Sequence, residues 1–123
     1  MKGVGDIQKE QDRLSKLTPE EKERVKGIRI KLSEFLREGT LLSISAYTDK
    51  SPNAAPADNW AYRLNTYLST NLDESYVTRV NDTSDAHDET PSGVTLNTAQ
   101  KNLWFGIHVR LLKIREIITE LSR

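Results

Sequence analysis

At 123 residues the chain has room for one small domain with a single core. Its 18 Lys and Arg balance 18 Asp and Glu, so no overall charge draws it to nucleic acid or to an anionic membrane. It has no cysteine, which excludes disulfides, thiolate zinc sites and cysteine nucleophiles.

The charge is unevenly spread. Residues 1–50 carry eleven Lys/Arg against nine Asp/Glu, residues 51–93 two against seven, and residues 94–123 five against two. An acidic middle between two mildly basic ends helps hold one fold together by long-range attraction, or offers a partner an acidic patch. The first reading requires nothing beyond the chain itself.

The start, MKGVGDIQKEQDRL, lacks the apolar stretch of a secretory signal, and no apolar run anywhere approaches the roughly 20 residues that span a bilayer. Residues 1–17 are polar and helix-permissive, with Ile7, Leu14 and Leu17 as their large apolar side chains. They read as a helical extension, and residues 18–123 as a single helical-bundle domain. The extension gives way to LTPEEKERV, where Thr18 can cap a helix, Pro19 suits the first helical position, and Glu20 and Glu21 favour the positive end of the helix dipole. Val25, Ile28, Leu32, Phe35 and Leu36 then form a stripe at helical spacing. Gly39 either ends this helix or permits close packing within it. The apolar continuation TLLSISAY favours a helix running to about Ala46.

The stretch TDKSPNAAPADN has two prolines and no periodicity, and reads as a connector. Asp58 or Asn59 is expected to cap a helix carrying Trp60, Leu64, Tyr67 and Leu68 on one face. After a break at STNLDES, a further turn or two holds Tyr76, Val77 and Val80. The segment TLNTAQKNLWFGIHVRLLKIREIITELSR predicts a long terminal helix with Leu103, Ile107, Leu111, Ile114, Ile118 and Leu121 as its stripe. Trp104, Leu112 and Ile117 widen that stripe enough to meet two neighbours. Alternating strand patterns are absent. The fold expected is all-α, a bundle of four to five helices with long second and C-terminal members.

Chemistry is sparse. The loop VNDTSDAHDETPSG holds three Asp, one Glu and one His. Asp82, Asp85, His87 and Glu89 are its candidate metal ligands, and they supply the main alternative to a binding role: a metal-dependent enzyme or ligand-binding protein using residues 82–89. An EF-hand loop, however, needs a glycine at its sharp turn and a more distal closing carboxylate, and a lone His is a weak transition-metal site. The same residues make an ordinary solvated loop. No cofactor is implied. His108, in the terminal helix, is not preceded by Arg at the spacing of the Arg-x4-His signature of all-helical HEPN-type RNases: Leu103 occupies that position, and Asp82 stands in the same relation to His87. Nucleophile elbows and glycine-rich phosphate loops are missing too. The basic residues from Lys22 to Lys31 alternate with Glu20, Glu21 and Glu23, so they do not form the one-sided cationic face that phosphate binding requires.

One pattern does suggest use. Ile7, Leu14, Glu21, Ile28, Phe35 and Leu42 fall seven apart, with Val25, Leu32 and Gly39 at companion positions. Such a seam predicts coiled-coil pairing, and Ile28 and Phe35 are the residues expected to carry self-association. Exposed aromatics are the other candidate hot spots, here Tyr47, Tyr62 and Trp104.

The segments LSEFLREGTLL, NWAYRLNTYLSTNLDESYVTRVND and LWFGIHVRLLKIREII, together covering residues 32–118, resemble a loosely defined group of uncharacterised bacterial helical domains. In that group a helix bearing LREG precedes a Trp-led helix with an Arg three residues on, matched here by Trp60 and Arg63. The resemblance implies the soluble part of a longer protein, sometimes set behind a membrane or coiled-coil segment upstream, and it transfers no catalytic residue. The expectation is a protein-interaction or assembly module, cytoplasmic or at the cytoplasmic face of a membrane, whose partner is another protein or a second copy.

Overall fold

The computed structural model describes residues 17–84, 91 and 93–123. Among them are four helices and no strand: α1 (Pro19–Thr48), α2 (Ala55–Asn71), α3 (Glu74–Asn81) and α4 (Thr98–Leu121). The expected all-α bundle is what forms. The long helix expected second in the chain is α1, and the extension proposed for residues 1–17 lies, but for Leu17, outside the described residues.

Each boundary has a local cause. Thr18 stays extended and its Oγ1 accepts the Glu21 N–H at 3.1 Å, with Pro19 opening the helix. α1 runs unbroken through Gly39 and ends as Asp49 turns extended, where its carboxylate accepts the Ser51 N–H at 3.0 Å. α2 begins at Ala55, earlier than the caps expected at Asp58 or Asn59. Asn53 Oδ1 accepts the Ala55 N–H at 3.1 Å, and Pro56 fits the first turn, where no N–H is needed. Asp58 is left in that first turn as a favourable charge. The extended Asp73 restarts the chain as the cap of α3, accepting the Ser75 N–H at 2.8 Å. α4 opens with a capping box: Asn97 accepts the Gln100 N–H at 2.9 Å, and Gln100 Oε1 accepts the Asn97 N–H at 3.0 Å.

α1 and α4 lie antiparallel. At one end Gln100 Nε2 donates to the Asp49 carbonyl at 2.8 Å, and Asn97 Nδ2 to the Lys50 carbonyl at 2.8 Å. At the other end Leu17, Val25 and Leu121 line one cleft. α2 runs back along α1, its C-terminus held where Arg24 Nη2 donates to the Asn71 carbonyl at 2.7 Å. The short α3 bridges α2 and α4. Asn81 Nδ2 donates to Asn65 Oδ1 at 3.0 Å, Arg110 Nη2 donates to Asn81 Oδ1 at 2.9 Å, and Arg79 pairs with Glu116 at 3.2 Å and Glu120 at 2.6 Å.

The core lies where these faces meet. Ile28, Leu32 and Phe35 of α1 pack with Trp60, Leu64 and Leu68 of α2, Val80 of α3, and Ile107, Leu111, Ile114 and Ile117 of α4. The terminal helix departs from expectation at Leu112, which is 41% exposed rather than part of the buried stripe. At Gly39 the neighbouring helices approach α1 closely. A Cβ built there would stand 2.4 Å from Trp60 Cζ2 and 2.7 Å from Leu111 Cδ2. The Trp60 indole lies over this bare stretch of α1 and donates Nε1–H to the Phe35 carbonyl at 2.9 Å.

Candidate interaction surface

The residues singled out from sequence separate into two groups. Ile28, Phe35 and Trp104 are all buried members of the core cluster the four helices share. They are therefore unavailable to a partner while the bundle is folded. The seven-residue repeat through Ile28 and Phe35 is real, but it is the core seam. Trp104 stacks on His108 with ring centroids 4.4 Å apart and planes 13° from parallel. Tyr47 is half-buried against the core, whereas Tyr62 is 71% exposed.

The acidic loop offers one ligand candidate to inspect, since Asp85, His87 and Glu89 lie outside the described residues. Asp82 follows the last turn of α3, and its carboxylate accepts the Ser84 N–H at 2.9 Å. That bond is the main cause holding its carboxyl below the ordinary range. Asp73 is lowered for a like reason, by hydrogen bonds from the Ser75 hydroxyl and N–H. Both are turn-stabilising carboxylates. Among the described residues no three His, Cys, Asp or Glu side chains converge as a metal site would require. Burial lowers the pKa of Arg110, while Asp58 acts against that shift. Its guanidinium holds the Gly106 carbonyl and Asn81 together, so its evident task is to join α3 to α4.

A groove of about 390 Å³ runs between α1 and α2, lined by Lys31, Phe35, Tyr62, Arg63, Thr66 and Tyr67. Arg63 reaches across to Glu38, and Lys31 Nζ sits 5.6 Å from the Phe35 ring centroid. Burial is the main cause raising the pKa of the Tyr67 hydroxyl. Of the two cations here, Arg63 is committed to Glu38 and Asn59, and Lys31 sits over Phe35.

The feature missed from sequence is on the far side of α1. Ile30 is 52% exposed, Leu41 59% and Ile44 40%. At 3.6 residues per turn these three fall together, about 180° around the helix from Leu32 and Gly39. α1 thus has one apolar face consumed by the core and, opposite it, a solvent-facing row in which exposed apolar residues flank Glu34 and Arg37. Isolated exposed Leu or Ile residues are ordinary. Here Leu41 and Ile44 sit one turn apart, and Ile30 lies about three turns away on the same face, with the exposed Glu34 and Arg37 between. The signal was in the sequence as the spacing 30, 41, 44, but it merges there with the broader run of apolar residues in LLSI. No family model, curated protein sequence or solved structure matches the chain. No helix among the described residues is long and apolar enough to cross a membrane.

Proposed function

We propose that this bundle is a protein-interaction or assembly module without catalytic activity, the cytoplasmic, soluble part of a longer protein, and that it binds through the outward face of α1. The observation that supports this reading is the exposure of Ile30, Leu41 and Ile44 along that one row. A helix in a bundle needs one buried face; Ile30, Leu41 and Ile44 add nothing to this core and leave apolar surface in water. Such a face is useful when another protein covers it. The test is a photo-reactive residue incorporated in place of Leu41 in the cells that make the protein, with the exposed Ser69 of α2 as the control position. A covalent protein adduct is expected at 41 and not at 69. No adduct at 41, or equal adducts at both, would overturn the reading.

A further inference from the structure

We propose that the occupant of this face is a second copy of the chain, with α1 packed antiparallel on α1 so that Ile30 of each copy meets Leu41 of the other. This rests on the reading that the outward face of α1 binds protein, and it names the partner.

The argument lies in the order of residues along the face. Gly27, Ile30, Glu34, Arg37, Leu41 and Ile44 follow one another at spacings of three and four, and all six are exposed. That is the spacing of a coiled-coil seam. A parallel pair would set each position against itself, Glu34 against Glu34 and Arg37 against Arg37, and like charges in register oppose pairing. An antiparallel pair centred between Phe35 and Leu36 gives a different set of layers. Ile30 then faces Leu41, Glu34 faces Arg37, and Gly27 faces Ile44, each layer occurring twice about a two-fold axis, as an isologous contact requires.

Neighbouring registers fail. Sliding one heptad in one direction sets Glu34 against Ile44 and Arg37 against Leu41. Sliding in the other sets Ile30 against Glu34. The proposed register alone pairs apolar with apolar and acid with base. Gly27 adds a matching shape. A Cβ there would find nothing within 4 Å, so the helix surface is bare where the larger Ile44 would arrive. Glu34 is free to turn toward an arginine, because its present partner Lys31 is an exposed neighbour at 3.4 Å on the same helix. With three apolar side chains per copy the contact is small, and the pairing depends on concentration.

The absence of cysteine makes the register directly readable. Ile30→Cys and Leu41→Cys are prepared as separate proteins, then mixed under mild oxidation. The mixed disulfide is expected to predominate, because in this register two copies of position 30 lie about 16 Å apart along the helix axis, beyond disulfide reach. Predominant bridging of I30C to itself would establish a parallel pair and overturn the proposal, as would equal amounts of every combination, the mark of random collision. In the cysteine-free chain, Arg37→Glu is expected to weaken association about tenfold or more, and adding Glu34→Arg to restore it. Failure of that restoration would likewise overturn the register. If no disulfide forms while the probe at position 41 captures a different protein, self-pairing is wrong and the interaction reading stands. If neither forms, both fall.

Discussion

Replacing Trp60 with Ala is expected to destabilise the bundle by about 3–5 kcal/mol, the range for truncating a large buried aromatic. Trp60 is fully buried and belongs to the core cluster shared by all four helices, so its removal opens a cavity that no single neighbour can refill. The hydrogen bond is the smaller part. The Phe35 carbonyl that accepts the indole N–H is in mid-helix and already takes the N–H four residues on, so its loss leaves no orphaned acceptor. Against a total stability of about 5–15 kcal/mol for an ordinary domain, the truncation consumes a large share. Urea denaturation followed by far-UV circular dichroism is the appropriate measurement, since Trp60 is one of only two tryptophans and its removal would confound a fluorescence signal. A loss below about 1 kcal/mol would mean that Trp60 is not the packing centre the structure shows.

Gly39→Ala is expected to lower stability, although alanine is the better helix former by about 1 kcal/mol. The opposing term is steric. The new methyl carbon would stand 2.4 Å and 2.9 Å from two carbons of the Trp60 ring and 2.7 Å from Leu111 Cδ2. The leucine methyl can rotate aside, but the fully buried indole has nowhere to move. Overpacking of this kind costs about 1–3 kcal/mol, and with three contacts under 3 Å it outweighs the propensity gain. The cause can be isolated by changing the background. In Trp60→Phe, which lacks the intruding part of the indole, Gly39→Ala should become neutral or stabilising. A double-mutant cycle in denaturant reads that coupling. Equal effects in both backgrounds would show that the ring is not what excludes the methyl.

Much of this fold was legible because its signals are local. Thr18 and Pro19 announced the start of α1, and apolar periodicity carried it past Gly39. A glycine inside a continuing apolar pattern is as often a packing device as a stop, and here the Trp60 ring explains it. The start of α2 was misplaced because Ala54 makes no capping bond, so the nearest conventional cap residues, Asp58 and Asn59, drew the boundary inward. The α4 boundary was written plainly in NTAQ, where Asn97 and Gln100 satisfy one another, a spacing easily overlooked beside the apolar run that follows.

The candidate surface was much less legible, for a different physical reason. A heptad records that one helix face is apolar. It does not record whether the covering partner is another part of the same chain or a different molecule. Ile28 and Phe35 are covered within the chain's own core cluster, a fact of tertiary structure that no spacing contains. Trp104 posed the same ambiguity and is likewise buried. Ile30, Leu41 and Ile44 became distinguishable only once one face of α1 was seen to be filled and the opposite face was seen to carry them.

The claim that this outward face drives association is tested most directly by light scattering over a protein concentration series. The wild-type chain is compared with Leu41→Glu, each with and without added divalent metal. Wild-type mass should rise from the 14.0 kDa of a single chain toward twice that value, independently of metal. Leu41→Glu should stay at the single-chain mass with its helical content unchanged, because position 41 is 59% exposed and lies outside the core. A wild-type mass fixed at one chain throughout, association that requires the metal, or equal association by the Glu variant would contradict it.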